Sequence, residues 1–295
     1  MKRISVLFVL LFALCGAASA GFNGVLEGFS TPVVASGGGN DPATTAWVNQ
    51  VVSRGGTVSG TQTTNVNNLI VCLKTTYATN FFSISDRLYL LASENATQAT
   101  TDLITPSGTQ ATSTATFNAV GGTAPFGYAG NGTSTFYDSK WIPSSGPNCV
   151  LNSCTIMLYD GSTTFSGRLG VLDGSSNTLG LRFLSTTSVD FYLNGTGGTG
   201  QTVTNVKSIL IGTRTLAGAT QTFQNGSSVG TGTDASTTIP GTYSFWAAGG
   251  QNAFGNFSSG STDTIGAFGA LSGLTATQAG QYNTCIQNYL TAWGA

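Results

Sequence analysis

The segment 245–257 combines aromatic rings with side-chain amides on a glycine-rich stretch, a mixture suited to binding a sugar. Sugars stack their C–H faces on aromatic rings, while amide, carboxylate and backbone groups hold the hydroxyls. An aromatic and acidic group at 137–141 is a candidate for a second edge of such a site. Large aromatic side chains are mostly buried, so core packing of these rings stays an open alternative. The candidate ligand-binding residues are Tyr137, Asp138, Trp141, Trp246, Asn252, Phe254 and Asn256.

Groups able to catalyse a reaction are scarce. The chain has no histidine, and 7% of its residues are charged, against about 25% in an ordinary domain. Most hydrolytic and acid–base chemistry uses histidine or a matched pair of carboxylates, so we assign no catalytic residue. Most of the later aspartates lie beside glycine or serine, as turn formers do, and an aspartate-based glycosidase is the enzymatic alternative. Its available side chains are Asp138, Asp160, Asp173, Asp190, Asp234 and Asp263.

The N-terminus has the pattern of a secretory signal peptide. Lys2 and Arg3 precede an apolar run over 4–14, and small residues follow at 18–20. About 20 apolar residues are needed to span a bilayer, so a membrane anchor is disfavoured. Cleavage near Ala20 leaves 8 basic and 11 acidic residues, a net charge of −3. Without a basic patch, nucleic-acid binding is also disfavoured. The sequence therefore predicts a secreted protein, extracellular or periplasmic.

Four cysteines remain after that cleavage, an even number that predicts two disulfides in an oxidising compartment. Four cysteines allow three pairings. We favour Cys149–Cys154 as a short loop closure and Cys72–Cys285 as a tie between helices near the two ends. A metal site built on cysteine is disfavoured, because the chain has no histidine and no Cys-x-x-Cys pair.

Helices are predicted near both ends of the chain. Asp41-Pro42 is a helix start, and apolar residues at helical spacing continue to the glycines at 55–56. A second helix is predicted over 66–76, and a third helical piece over 86–93. The pattern Thr275-Ala276-Thr277-Gln278 is a capping box that opens a closing helix.

From about residue 100 the chain changes to short runs with period-2 alternation, separated by turn residues. Such a pattern predicts an antiparallel sandwich or barrel. Asn194-Gly195 and Asn225-Gly226 each follow a strand and predict hairpin turns. The predicted strands cover 155–159, 169–172, 179–184, 188–194, 206–211, 220–224, 243–247 and 264–268.

Three late segments resemble the end of concanavalin A-like, or laminin-G-like, jelly-roll domains over about residues 110–290. They are the strand Phe223-Gln224-Asn225-Gly226, the strand Ile265-Gly266-Ala267-Phe268, and Leu271-Ser272-Gly273-Leu274-Thr275 before a helix. The stretches 86–92, 127–134 and 289–292 are similar to phage and prophage structural proteins that carry this sandwich. The signal peptide departs from those virion proteins.

The resemblance implies a mainly β fold, a concanavalin A-like jelly-roll sandwich with two or three N-terminal helices and a C-terminal helix. Glucan-cleaving relatives use two glutamates on one strand, but Glu27 and Glu94 both precede the sandwich. Lectin-like sandwiches often hold Ca²⁺ through aspartate and backbone oxygens, and Asp138, Asp160 and Asp173 are the weak candidates here. No sequence feature brings those three together.

These predictions define an organisation and a function class. Residues 1–20 are a signal peptide, 21–40 a flexible leader, 41–98 a helical N-terminal segment and 99–295 the sandwich with its closing helix. The leading hypothesis is a secreted, non-catalytic carbohydrate-binding or adhesive module whose partner is a glycan or cell-surface polysaccharide. The alternatives are a structural phage-tail-like or cell-surface protein without a glycan ligand, and an atypical glycosidase.

Overall fold

The computed structural model describes residues 39–77, 80–123, 125–162, 168–173, 177–195, 200–204, 207–251 and 257–295. The predicted signal peptide and all but the last two residues of the leader lie outside these ranges. Residues 40–295 form one compact unit. Across the described residues, no helix combines the length and apolar character required to cross a membrane.

The helices near both ends follow local capping signals. Asp41 caps the first helix by accepting a hydrogen bond from the Ala43 backbone N–H, as predicted. The second helix begins at Gly60, earlier than expected, because Ser59 caps it through the Gln62 N–H. The capping box at Thr275 is confirmed. The helices are α1 (Pro42–Ser53), α2 (Gly60–Thr76), α3 (Ala96–Ala99) and α4 (Ala276–Thr291).

The described strands form two sheets, as the predicted sandwich requires. The eight-stranded sheet contains β1 (Ser85–Tyr89), β3 (Thr116–Asn118), β4 (Gly127–Ala129), β6 (Cys154–Asp160), β11 (Ser208–Leu216), β12 (Ala219–Gln224), β13 (Ser227–Gly232) and β17 (Thr264–Leu271). The nine-stranded sheet contains β2 (Thr112–Ser113), β5 (Tyr137–Asp138), β7 (Arg168–Asp173), β8 (Asn177–Ser185), β9 (Ser188–Gly195), β10 (Gln201–Thr202), β14 (Trp246–Ala247), β15 (Gly249–Gln251) and β16 (Phe257–Gly260).

Strand order fixes which residues are neighbours across each sheet. The first sheet runs β13-β12-β11-β6-β17-β4-β3, with β1 also paired to β17. The second runs β10-β9-β8-β7-β14-β5-β2, with β15 paired to β16 and β7. Pairing is antiparallel apart from the β15–β7 contact. The eight predicted strands correspond to β6–β9, β11, β12, β14 and β17, whereas β2–β5, β10, β13, β15 and β16 were not predicted.

Two hydrophobic layers hold the elements together. The inner layer lies between the two sheets and includes Leu158, Leu181 and Phe268. The helical layer lies between the eight-stranded sheet and the helices, and includes Ile70 and Ile286. Every residue of β6 and β17 is buried, because alternate side chains along these two strands enter opposite layers.

The predicted helical piece at 86–93 is wrong, because its first residues form β1. Ser85–Tyr89 pairs with β17, and the following residues continue the same alternation. Leu88 and Leu90 enter the helical layer, while Tyr89 and Leu91 enter the inner layer. A strand buried on both faces is a continuous apolar run, and period alone does not separate such a run from a buried helix.

The two Asn-Gly predictions have different outcomes. Asn225-Gly226 joins β12 to β13 with positive φ at both residues, as a tight hairpin turn requires. Asn194-Gly195 is not such a turn, because Gly195 is still in β9 and bridges to Ser236. Asn194 is buried, and its Nδ2 donates to the Val150 carbonyl at 3.2 Å.

Both predicted disulfides are confirmed. Cys72–Cys285 joins α2 to α4, and Cys149–Cys154 closes a short loop before β6. The α2–α4 contact also contains a hydrogen bond from Gln62 Nε2 to Tyr289 Oη at 3.1 Å. The first disulfide therefore links two helices that already pack in the helical layer.

The two sheets approach each other so closely at Gly212 of β11 that a side chain at this position would clash. A Cβ at this residue would lie 2.3 Å from Cδ1 of Phe191, on the facing sheet. We expect Gly212→Ala to lower the free energy of unfolding by about 1–3 kcal/mol, through overpacking, in urea titrations. Gly218→Ala is the matched control, because its nearest neighbour would be the Thr233 carbonyl at 3.7 Å. Equal midpoints for the two variants would contradict this account.

Candidate ligand-binding face

Two of the predicted binding residues are in the core. Tyr137 is 0% exposed, and its hydroxyl donates to the Ala99 carbonyl at 3.2 Å. Burial also raises the pKa of Tyr137 well above its usual range. Trp141 is 1% exposed and packs near Phe245 and Phe268. The structure thus corrects their assignment as a second binding edge, since neither ring presents a face to solvent.

Trp246 and Asp138 share the outer face of the nine-stranded sheet. They lie directly opposite each other in the β14–β5 pair, and the next pair joins Ala247 to Tyr137. Ala247 and Tyr137 enter the inner layer, so alternation directs Trp246 and Asp138 away from it. The other three predicted residues, Asn252, Phe254 and Asn256, lie outside the described residues.

A straight line of paired residues crosses five strands on this outer face. Trp246 pairs with Gly170 of β7, Gly170 with Gly180 of β8, and Gly180 with Tyr192 of β9. Together with Asp138 opposite Trp246, these residues form what we call the outer row. The inner layer contains Val171, Leu179 and Leu193, which are next to residues of the outer row along their strands. The outer row therefore lies on the opposite face of the sheet from the inner layer.

Two glycines in the centre of the outer row separate two aromatic residues, and both glycines are buried. Neighbouring strands are about 4.8 Å apart, so Trp246 and Tyr192 are separated by about 14 Å at their Cα atoms. Gly170 has a φ of +141°, and a Cβ there would lie 2.5 Å from the Leu179 carbonyl oxygen. Backbone geometry therefore keeps this position free of a side chain.

Trp246 belongs to an aromatic stack at one end of this glycine segment. The rings of Phe136 and Trp246 are parallel to within 6°, with centroids 3.8 Å apart. Phe136 is half-buried, and Trp246, one face of which Phe136 covers, is 8% exposed. Neither residue belongs to either hydrophobic layer. Phe136 was missed from the sequence, although its place two residues before Asp138 puts it on the same face.

Asp138 is held in a fixed position beside the stack. Lys140 Nζ lies 2.6 Å from Asp138 Oδ2, and the Lys140 backbone N–H donates to Oδ1 at 2.8 Å. The Ser244 hydroxyl donates to the same Oδ1 at 2.6 Å. The carboxylate is thus a preoriented acceptor whose charge is balanced by an adjacent ammonium.

A second polar group flanks the opposite end of the row. Arg182 Nη2 and Asp190 Oδ2 are 2.8 Å apart and lie opposite each other in the β8–β9 pair. The Arg182 guanidinium also lies 5.2 Å from the centroid of the Tyr192 ring, within cation–π range. Period-2 alternation of the predicted strand 188–194 predicts that Asp190 and Tyr192 face away from the core, but it carries no signal that they join Trp246 in one row.

Two of the three predicted calcium ligands, Asp138 and Asp160, lie in different sheets. Asp138 is on the outer face of the nine-stranded sheet, whereas Asp160 ends β6 in the other sheet and is fully buried. The side chain of Asp173 lies outside the described residues. Among the residues that the structure describes, no group of three or more His, Cys, Asp or Glu side chains could hold a metal. Asp138 and Asp160 therefore cannot share one ion.

A separate depression of about 380 Å³ lies beside the first turn of α4. Its lining contains neither an aromatic nor a charged side chain, so it lacks the groups that hold a ligand in most binding sites. The outer row is the better candidate site. The depression is lined by Thr213, Thr215, Gly218, Ala219, Thr220, Gln221, Thr231, Gly232, Thr233, Leu274 and Thr275.

No protein-family model and no curated protein matches the chain. Similar solved structures include domain 4 of AbnA, a GH43 extracellular arabinanase from Geobacillus stearothermophilus, in complex with arabinotriose (14% identity, 68% of this chain, 98% of that chain, TM-score 0.45). A mutant Trypanosoma rangeli sialidase displaying trans-sialidase activity covers 81% of this chain and 38% of its own (13% identity, TM-score 0.49). The Ruminococcus gnavus IT-sialidase CBM40 covers 52% and 95% (14% identity, TM-score 0.38). At this degree of similarity, none of these structures assigns a function to the chain.

Proposed function

We propose that this chain is a secreted glycan-binding module whose ligand lies along the outer row of the nine-stranded sheet. The observation that carries the proposal is the pair of aromatic residues, Trp246 and Tyr192, at the two ends of a segment whose centre is glycine. The half-buried ring of Tyr192 offers a face for the C–H groups of a sugar, and Trp246 lies at the other end of the glycine segment.

Polar groups at both ends of the row suit a ligand rich in hydroxyls. Asp138, 5% exposed, lies beside the stack, and the half-buried Arg182 guanidinium offers donors beside Tyr192. Asp138 and Asp190 are each neutralised by a basic neighbour, so these two ion pairs give this face no excess of charge. Hydrogen bonding together with stacking, rather than net charge, is therefore the proposed basis of recognition.

The geometry favours binding over hydrolysis at this face. Asp138 and Asp190 are the acidic residues flanking the row, and four strand spacings separate β5 from β9. That separation is about 19 Å, whereas the two carboxyl groups of a glycosidase are about 5–9.5 Å apart. The two residues are too distant to act on one glycosidic bond.

Secretion fits the covalent structure of the protein. The protein contains two disulfides, and disulfides persist in oxidising compartments. The signal-peptide pattern at 1–20 predicts export to such a compartment. The proposed site of action is thus outside the cytoplasm, where surface polysaccharides are the available ligands.

A glycan array probed with the protein from Gly21 to Ala295 tests this function. We expect saturable binding to one class of glycan, and a Tyr192→Ala variant that binds about 10-fold more weakly because one aromatic face is lost. Tyr192→Phe is the matched control, since it keeps the ring and should stay close to the wild-type affinity.

Two results would count against the proposal. A blank array obtained with folded protein would move the assignment to a structural protein without a glycan ligand. Binding that is unchanged in Tyr192→Ala would place the ligand elsewhere on the molecule. Circular dichroism of each variant separates loss of binding from loss of folding.

A further inference from the structure

Two acidic residues, Asp160 and Asp263, lie inside the sandwich, and both are 0% exposed. Asp160 is the last residue of β6 and pairs with Ile265 of β17. Asp263 precedes Ile265 by two residues, so the two aspartates are on the same face of the sheet. Ile265 belongs to the inner layer, which means that both carboxyl groups are directed between the two sheets.

Hydrogen bonds between the segments that follow the two aspartates hold them in fixed positions. The Gly161 backbone N–H donates to the Thr264 carbonyl at 2.8 Å, and the Thr264 N–H donates to the Ser162 hydroxyl at 2.7 Å. The Ser162 N–H donates in turn to Asp160 Oδ1 at 2.8 Å. The residues after Asp160 are thus bonded to the residue after Asp263, and the two carboxyl groups cannot move apart without breaking these bonds.

The acidic pair lies where the chain passes twice between the two sheets. Strand β6 of the eight-stranded sheet ends at Asp160, and the next described strand, β7, belongs to the other sheet. Strand β16 of the nine-stranded sheet ends at Gly260, and β17 of the eight-stranded sheet begins at Thr264. The charge of the pair therefore acts on two connections between the sheets.

One carboxyl oxygen of Asp160 has no hydrogen-bond partner. Asp160 Oδ2 is buried and accepts no hydrogen bond, and no ion pair between described residues includes Asp160. Burial, followed by the nearby charge of Asp263, raises the pKa of Asp160 well above its ordinary value. An ionised carboxylate is strongly unfavourable in such a place, and two carboxylates in one site disfavour each other's ionisation. The pair therefore retains a proton that isolated aspartates would release.

Within the described part of the chain, the elements around the pair contribute two tyrosines and one lysine. Burial raises the pKa of Tyr128 on β4 and of Tyr159 on β6 to about 12. Lys207 precedes the β11 residue that pairs with Asp160, and it is exposed to solvent. Neither tyrosine releases a proton below about pH 9. A proton released by these neighbouring acids between about pH 4 and pH 9 therefore comes from the carboxyl pair.

We propose that Asp160 and Asp263 share one proton and form a pH-sensitive switch where the two sheets are connected. With the proton bound, the pair carries a single negative charge. When the proton passes to water or hydroxide, two negative charges face each other in a buried site, and the connection is destabilised. An aspartate in the unfolded chain releases its proton near pH 4. The stabilisation is therefore complete below about pH 4 and is lost as the pH rises through the raised pKa of the pair.

Thermal unfolding between about pH 4 and pH 9 tests the switch without any assay of glycan binding. Asp160→Asn keeps the side-chain shape and the acceptor for the Ser162 N–H, but it has no charge at any pH. Over this range, the Tm of the wild type should fall by about 3 °C or more relative to that of Asp160→Asn. Asp263→Asn should lessen the fall as well, because it removes the second negative charge.

Asp41→Asn is the matched control, because Asp41 caps α1 and Asn caps a helix as well as Asp does. Its Tm should follow that of the wild type in parallel. Infrared spectra at pH 7 should show a protonated carboxyl group in the wild type that Asp160→Asn lacks. Parallel Tm curves for the wild type and Asp160→Asn would overturn the proposal. A wild-type spectrum without a protonated carboxyl group at pH 7 would also overturn it, and that measurement does not depend on any variant folding.

Discussion

Trp246→Ala should weaken glycan binding by about 100-fold while the protein remains folded. A well-packed aromatic residue at the centre of an interface commonly contributes 2 kcal/mol or more, and each 1.4 kcal/mol corresponds to about 10-fold in affinity. Trp246 is 8% exposed, so we expect its replacement by alanine to lower the free energy of unfolding by about 3–5 kcal/mol. Titration of the glycan identified on the array, followed by tryptophan fluorescence or calorimetry, measures the effect.

Two further variants decide whether the ring itself binds the glycan. Trp246→Phe keeps an aromatic face beside Phe136 and should recover binding to within about 10-fold of wild type. Phe82→Ala removes another half-buried aromatic ring, on the helical side, where Lys74 Nζ lies 5.2 Å from its centroid. Normal affinity in Phe82→Ala and in Trp246→Ala alike would remove the aromatic stack from the binding mechanism.

Replacing Cys72 and Cys285 by alanine should lower the free energy of unfolding by about 5 kcal/mol, the largest loss of stability that we expect. The disulfide joins residues 213 positions apart, and the loop-closure model assigns about 5 kcal/mol to a loop of that length. Guanidinium titrations of the double variant against the wild type, under oxidising conditions, measure this difference.

The second disulfide allows the effect of loop length to be compared within the same protein. Cys149 and Cys154 are five positions apart, and the same model assigns about 2 kcal/mol to so short a loop. Both double-alanine variants should still fold, since hydrogen bonds such as Tyr77 Oη to the Gln278 carbonyl continue to join α2 and α4. Equal losses in the two variants would show that loop length does not determine the stabilisation here.

Short sequence motifs correctly predicted the helix caps and one hairpin turn, because these features depend only on residues close together in the chain. The Asp41 cap, the Thr275 capping box and the Asn225-Gly226 turn satisfy their own backbone groups within a few residues. The Cys72–Cys285 disulfide followed from placing one cysteine on each of two helices near the ends of the chain, and Cys149–Cys154 from the short separation of the two cysteines. The alternation of 179–194 gave β8 and β9 and the outward facing of Asp190 and Tyr192.

Pairing between distant strands accounts for what could not be predicted. Residues 85–89 form a strand only because β17, about 180 residues later, provides the hydrogen-bonding edge. The outer row depends in the same way on the register of β14 with β5 and β7, which no local pattern encodes. Tyr137 and Trp141 were misassigned because composition identifies an aromatic residue but not the face of the sheet that it occupies.

The eight-stranded sheet contacts a hydrophobic layer on each of its two faces. This arrangement determines how the protein unfolds. Melting the helices would expose one face of β6 and β17, and separating the sheets would expose the other. Each layer therefore needs the other to keep these strands out of water. Residues 40–295 should behave as a single cooperative unit, with calorimetric and van't Hoff enthalpies of unfolding that agree.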